Sequence, residues 1–392
     1  MPDQKYLIIG GGMTADAAVK GIRKVHSGGQ IGLITLEQHL PYGRPPLSKA
    51  LWKGEAVETI WRKTPVENVS VYLHTTATDI DLQNKKVRDA SGIWYGFEKL
   101  LLATGGVVRR LPFKAEGIIY YRTLDDYLQL RTLTGRGKTF VVIGGGFIGS
   151  EIAAAIAMNH KKVTMIFPEE GIGARVYPRA LSLFLNSFYT SKGVEVLAND
   201  GVTSVEKRNA HYIVRTSGGR ELAADAVIAG VGIQPNVDLA RQAGLTVDNG
   251  IQVDEYLRTS HPDVFAAGDV ANFYNPALGK RIRVEHEDNA TTMGDMAGQN
   301  MAGGSLPYRH LPFFYSDLFD LGYEAVGELD SRTENVEDWK EPFREGVIYY
   351  LGDHRVRGVL LWNTWGQVDA ARSLIGEKGP FDAGNVKGRL PA

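Results

Sequence analysis

The chain has 392 residues, 44 Lys and Arg against 45 Asp and Glu, and no cysteine at all. That length exceeds one ordinary hydrophobic core, so two or three domains are expected, and a net charge of −1 gives no general attraction to nucleic acid or an anionic membrane. Without cysteine the chain itself carries no disulfide, thiolate metal site, iron–sulfur cluster or Cys-x-x-Cys redox centre. Any electrons it handles travel on something other than sulfur.

In chain order, the first element is "YLIIGGGMTADAA" at residues 6–18: an apolar run, glycines, then a small-residue helical pattern. Gly10 and Gly12 with Ala15 at the third place fit a strand, a tight turn and a helix whose N-terminus faces a phosphate. "IGLITLE" then predicts a second strand ending on Glu37, a carboxylate placed to accept ribose hydroxyls. "PYGRPPLSKALW" is proline-rich and predicts an irregular, extended connection rather than a helix. From Val71 to Leu102, short alternating runs predict a β-meander that returns to a buried strand in "KLLLATGG".

The phrase then recurs as "FVVIGGGFIGSEIA" at residues 140–153. With 46 Gly in the chain, a bare Gly-x-Gly-x-x-Gly is expected about 0.6 times by chance, so the flanking pattern carries the signal. Val141 to Ile143 precede Gly144, Gly146 and Gly149; Ile152, Ala153 and Ile156 follow at helical spacing; "KKVTMIFPEE" predicts the next strand, with Glu169 at its end. A second meander closes on "AVIAGVG", as the first closes on "KLLLATGG", so the repeat spans a whole dinucleotide-binding fold. "VFAAGDVA" predicts one more buried strand. From about Leu306 the texture turns aromatic and strand-rich before a helical "QVDAARSLIGE", the pattern of a third, α+β domain. The N-terminus enters a strand within a few residues and no apolar run is long enough to span a bilayer, so a soluble, cytoplasmic protein is expected.

Two dinucleotide folds with "ATGG" and "AAGD" closing strands resemble the two-dinucleotide-binding flavoproteins. "PYGRPPLSKALW", "GGGFIGSE", "MIFPEEG", "FAAGDVANFYNPALGKRIRVEHEDNA", "AGQNM", "YSDL", "GYEAVG" and "VLLWN" stand in the order found in the apoptosis-inducing factor family and its bacterial relatives, next to the FAD-dependent ferredoxin and rubredoxin reductases. The resemblance implies an α/β class with two Rossmann-like dinucleotide-binding domains, one for FAD and one for NAD, plus a C-terminal α+β domain. Boundaries are expected at 1–113 with 233–304 for FAD, 114–232 for NAD and 305–392 for the last. The chain is expected to depart from the animal protein in carrying no mitochondrial targeting segment, and it has only a short link, "SRTENVEDWKEPFRE", in place of a long regulatory insert. An apoptotic role is therefore not expected.

Residue by residue, the resemblance places FAD phosphates on Gly10, Gly12 and Ala15 and its adenosine ribose on Glu37. Arg44 and Lys49 match positions beside the pyrophosphate and the flavin ring, Ala77 a backbone contact to adenine, and Arg109 a further cofactor contact. Asp269 would take a ribityl or phosphate-side hydroxyl and His286 would meet the flavin. For NAD, Gly144, Gly146, Phe147, Ile148 and Gly149 form the pyrophosphate loop and Glu169 takes the ribose, with Arg175 near the adenosine. Gly232 permits close approach to the nicotinamide half, with Glu285 and Glu324 as carboxamide or ribose contacts. A reduced flavin gathers negative charge near N1, so a donor or a helix N-terminus there stabilises it; His286, just before the helical "DNATTMGDMAGQNM", can bring either.

Glu151 adds negative charge close to a pyrophosphate loop, which a partner cation would offset. In the family that partner is the lysine of the proline loop, so a Lys49–Glu151 pair is expected, and Tyr315 stands where the family usually has tryptophan. Lys49, Glu151, His286 and Tyr315 are thus the catalytic candidates, and no metal is expected. For His286 a satisfied loop histidine, for Lys49 a solvated surface lysine, and for Phe313 to Tyr315 plain core are the competing readings.

The function expected from this is an FAD-dependent NADH oxidoreductase, NADH being favoured over NADPH because Glu169 repels a 2′-phosphate. Its acceptor stays open among a ferredoxin or rubredoxin, a quinone and oxygen, and a second copy of the chain stays open as a partner. The alternative is an NADH-responsive redox switch that forms a long-lived charge-transfer complex and changes its oligomeric state. A nucleic-acid binder has no dense basic stripe to support it.

Overall fold

Tyr6, Leu7, Ile8 and Ile9 are buried, the mark of a parallel strand covered on both faces. In the computed structural model, which describes residues 3–64 and 68–391, they lie in the strand Asp3–Ile9 at the middle of a sheet. Ile31–Ile34 and then Val69–Tyr72 extend the sheet on one side, both parallel. On the other side Trp94–Leu102 runs parallel to the central strand. This long strand pairs twice on its far edge: its first half with Lys86–Asp89, antiparallel, and its second half with Val264–Ala266, parallel.

The expected meander from Val71 to Leu102 is therefore only part of the arrangement. Val69–Tyr72 completes the parallel sheet, and the antiparallel meander begins at Ala77–Asp81. The turn at His74, with φ of 50°, separates two strands that period-2 patterning alone reads as one.

The chain divides into two compact units. The first comprises Met1–Gly43, Val57–Val107 and Gln234–Pro312, with the sheet above at its centre. Its helices Met13–Val25 and Glu287–Met301 lie almost backbone to backbone. A Cβ on Gly21 would fall 2.1 Å from Asp295 O, one on Gly294 2.4 Å from Thr14 O, and one on Gly298 2.1 Å from Ala18 O.

The second unit comprises Arg44–Ala56, Val108–Ile233 and Phe313–Ala392. Its parallel sheet orders Val194–Leu197, Lys162–Ile166, Thr139–Ile143, Ala226–Ala229 and Ile119–Tyr120, and the meander Val202–Arg208, His211–Thr216, Glu221–Ala224 forms a separate sheet. The C-terminal sheet is antiparallel throughout, in the order Phe313–Leu318, Leu321–Gly327, Arg355–Trp362, Glu345–Gly352, Glu334–Glu341. Helix Val368–Gly376 accompanies it, as its sequence pattern predicts.

The proline loop departs from expectation. Pro45–Ser48 and Ala50–Lys53 are short 3₁₀ turns rather than extended chain. Proline's fixed φ suits the first position of such a turn as well as an extended segment. Among the described residues, no helix is long and apolar enough to cross a membrane, and no cluster of His, Asp and Glu is arranged to hold a metal ion.

Candidate nucleotide and redox sites

In the first unit, Gly10 has φ of +121°, and a Cβ there would lie 2.1 Å from Ala103 O, so the turn cannot close with a side chain present. Gly12 is the N-cap of Met13–Val25, and no side chain caps this helix. A Cβ on Gly12 would meet nothing within 4 Å. Open space therefore faces a helix N-terminus whose first N–H groups lack side-chain acceptors, which is the condition for binding an anion. Ala15 is fully buried in the first turn.

Glu37 lies just beyond the strand Ile31–Ile34 and accepts a 2.5 Å hydrogen bond from the Tyr42 hydroxyl. Ala77 opens the first meander strand. Asp269 sits in the 3₁₀ turn Gly268–Val270, and its carbonyl accepts from Arg283 Nη1 at 3.0 Å. The same guanidinium pairs with Glu285 at 2.6 Å, so that carboxylate already has a cation. His286 is the N-cap residue of Glu287–Met301, and its side chain does not cap the helix. The element expected from sequence, a histidine at a helix N-terminus, is present.

The second unit repeats the arrangement. Gly144 has φ of +114° and a Cβ there would lie 2.4 Å from Gly230 O; one on Gly149 would lie 2.0 Å from Gly144 O; one on Gly146 would meet nothing. Gly146 is the N-cap of Phe147–Met158, again without a side-chain cap. Ile148 is exposed, while the Phe147 ring lies 5.4 Å from that of Phe314.

Glu169 follows the strand Lys162–Ile166, and its carboxylate is held by Arg175 Nη2 at 2.8 Å. The Arg109 backbone N–H donates to Gly232 O at 2.9 Å and its Nε to Ile233 O at 3.0 Å, so these two predicted contacts are neighbours. Arg44 donates to Arg122 O at 3.0 Å. Glu324 accepts from the Gly366 N–H at 3.0 Å, a bond that secures the turn after Arg355–Trp362.

The expected Lys49–Glu151 pair is present, with Lys49 Nζ 2.6 Å from Glu151 Oε1 and the two side chains only 10% and 3% exposed. Lys49 is therefore not a solvated surface lysine. Two further groups hold Glu151: the Ser48 hydroxyl donates to Oε2 and the Ser316 hydroxyl to Oε1, both at 2.5 Å. A buried carboxylate needs this saturation, because each oxygen left bare would lose its hydration without return. Lys49 Nζ also lies 5.2 Å from the Tyr315 ring centre, within cation–π range. Behind the carboxylate, burial pushes the hydroxyls of Tyr177, Tyr189 and Tyr323 well above their ordinary pKa, and the Glu151 charge adds to the effect. They stay neutral at any ordinary pH.

Of the aromatic trio, Phe314 packs on Phe147 and Tyr323, whereas Tyr315 is 37% exposed. It belongs to a hairpin closed by two residues, with Leu318 paired to Leu321 and Phe319 at φ of 63°. Sequence reasoning missed Ser48 and Ser316. It also missed Asp16, a fully buried carboxylate inside an otherwise small and apolar helix face, whose placement was itself the available signal.

The pyridine nucleotide-disulphide oxidoreductase family pattern matches residues 4–294, and the C-terminal pattern of mitochondrion-associated apoptosis-inducing factor matches residues 297–341 and 332–377. The chain is 35% identical to apoptosis-inducing factor 1 of Dictyostelium discoideum, across 95% of this chain and 78% of that one. It is 33% identical to a rubredoxin-NAD(+) reductase of Ectopseudomonas oleovorans, across 82% and 86%. Among solved structures, the covalent putidaredoxin reductase–putidaredoxin complex superposes with a TM-score of 0.89 at 28% identity, covering 96% of this chain and 94% of that one.

Proposed function

Because the chain belongs to the pyridine nucleotide-disulphide oxidoreductase family, as an apoptosis-inducing-factor-like member using FAD and NAD(H), we propose that it oxidises NADH and passes the electrons to a small iron–sulfur protein of the ferredoxin type. Cysteine is absent, so the disulphide chemistry in the family's name has no residues here to carry it. When bound, FAD supplies the conversion of a two-electron donor into one-electron steps.

One observation carries the reading: two uncapped helix N-termini, each behind a glycine that no other residue can replace, each followed by a carboxylate after the next strand. On this reading Gly10, Gly12 and Ala15 hold the FAD pyrophosphate and Glu37 its ribose, with Arg44, Ala77, Arg109 and Asp269 as further contacts. Gly144, Gly146 and Gly149, flanked by Phe147 and Ile148, hold that of NADH, Glu169 and Arg175 take its adenosine ribose, and Gly232, Glu285 and Glu324 line the nicotinamide half. The residues 1–113 with 233–304 form the FAD domain, 114–232 the NAD domain and 305–392 the C-terminal domain.

Lys49, fixed by Glu151, keeps a buried positive charge, and His286 presents a helix N-terminus; both oppose negative charge on the reduced cofactor. Tyr315 shields Lys49 from water. Positioning supplies the rest of the catalysis.

The test is anaerobic rapid mixing of the purified yellow protein with NADH and then NADPH, followed by ferredoxin-type, quinone and oxygen acceptors. Fast bleaching by NADH and fast reoxidation by the iron–sulfur acceptor supports the proposal. Fast reoxidation by quinone alone reassigns the acceptor, a long-wavelength band that survives air favours the redox switch, and a colourless protein overturns the reading.

A further inference from the structure

The carboxylate of Asp16 is fully buried one turn into the helix that begins at Gly12. An unpaired charge there is very costly. Three groups meet it: Arg62 Nε at 2.8 Å, Lys20 Nζ at 2.9 Å and the Thr64 hydroxyl at 2.9 Å. Lys20 also donates to Arg62 O at 2.9 Å, so the helix grips both the side chain and the backbone of this arginine. The other end of the Arg62 guanidinium lies 3.3 Å from Glu287 Oε1, and Glu287 is the first residue of the second helix of this unit.

The backbone around Arg62 is tied to a third place. Arg62 N–H donates to Pro41 O at 3.1 Å and Gly43 N–H to Ile60 O at 2.8 Å, with Tyr42 and Trp61 facing each other in an antiparallel bridge and edge to face 6.2 Å apart. Tyr42 in turn donates to Glu37.

We propose that Arg62 is a positioning residue for FAD. It joins the N-terminal turns of Met13–Val25 and Glu287–Met301 through one guanidinium, and residues 60–64 continue as a strap to the carboxylate at Glu37. This rests on the reading that FAD lies on the Gly10–Gly12 turn. Each helix N-terminus is useful to an anion or a reduced flavin only at a fixed distance and angle. Arg62 sets that geometry for two helices at once.

The test is FAD release from purified holoprotein, followed by the rise in flavin fluorescence on dilution, with far-UV circular dichroism as the check on folding. Arg62→Met is expected to raise the FAD dissociation constant about tenfold or more, since removing one partner of a buried ion network loses far more than an exposed pair would. The double variant D16N/R62M removes the carboxylate that R62M leaves to Lys20 and Thr64 alone, and so separates two causes. Continued weak binding there supports the strap, whereas affinity restored to that of the wild type means Arg62 merely neutralises Asp16 and overturns it. Unchanged affinity in R62M also overturns it while leaving FAD binding itself intact. A wild-type protein that holds no FAD overturns the cofactor reading and this inference together.

Discussion

The two glycine turns lead into helices that each bury a carboxylate about one turn in, Asp16 in the first unit and Glu151 in the second. Asp16 is met by two cations, Arg62 and Lys20, and one hydroxyl. Glu151 is met by one cation, Lys49, and two hydroxyls. The first helix packs against another helix through glycines, so its charges can be shared along two elements; the second is bounded by the 3₁₀ turns of the proline loop and by the strand Phe313–Leu318, which offer serines. The carboxylates after the second strands differ in the same way. Glu37 is held by a neutral phenol, Glu169 by a guanidinium. A repeated fold thus keeps its backbone turn while the counter-charges are rebuilt from whatever each neighbourhood supplies.

The largest effect that would break this comparison is expected at the single-cation site. Lys49→Met leaves Glu151 with hydroxyl partners only, at a cost of about 3–5 kcal/mol. In the double variant K49M/E151Q most of that loss is expected to return, since no charge is then stranded. Urea unfolding of the three proteins checks this; equal stability of K49M and wild type would mean that the serines alone satisfy the carboxylate.

Next is the packing on which the first unit's charge sharing depends. Gly298→Ala would set a methyl group 2.1 Å from Ala18 O, forcing the two helices apart at about 1–3 kcal/mol. Ala15→Gly, in the facing helix Met13–Val25, introduces no clash and is expected to cost about 1–2 kcal/mol through helix propensity and the loss of one buried methyl group. Thermal melts of both variants, compared at one pH, test whether close helix approach or residue preference dominates.

A smaller effect concerns acid. Asp263, in the first unit, is held by Lys85 at 2.6 Å and Lys99 at 2.5 Å, and these bonds keep its pKa down at about 2 against an ordinary 3.8, with burial opposing them. A depressed folded-state pKa stabilises the fold above the unfolded value, and that contribution is lost as pH falls through the folded one. Stability is therefore expected to drop between about pH 4 and pH 2, and Asp263→Asn to remove about 1 kcal/mol at neutral pH while flattening that stretch, both lysines being partly exposed. Unfolding titrations at a series of pH values check it.

What was legible in the sequence follows the range of the forces involved. The strand–glycine–helix turns were readable because Gly10, Gly144 and Gly149 answer steric demands within a few residues or against one neighbouring strand. The Lys49–Glu151 pair, about a hundred residues apart in sequence, was anticipated only through family resemblance. Ser48 and Ser316 were not, because nothing in a serine's local pattern says that a carboxylate waits beside it. Val69–Tyr72 was misassigned to the meander because pairing direction depends on the partner strand. The proline loop was read as extended because proline fixes φ and leaves ψ to the surroundings.

The smallest expected effect sharpens the contrast between phenol and guanidinium. On the proposed reading, Glu169 accepts ribose hydroxyls while Arg175, its side chain 85% exposed, neutralises part of the charge that would repel a 2′-phosphate. Removing the arginine leaves the carboxylate bare, so Arg175→Ala is expected to raise the NADH-over-NADPH ratio of kcat/KM about fivefold, the scale of one exposed ion pair. Glu169→Gln is expected to lower the ratio, since the amide keeps a hydrogen bond and drops the repulsion. At Glu37 the hydrogen bond comes from the Tyr42 hydroxyl, and Tyr42→Phe, which changes no charge, should leave the ratio where it was. If R175A leaves it unchanged as well, the arginine is a solvent-facing partner of Glu169 and the two carboxylates are alike after all.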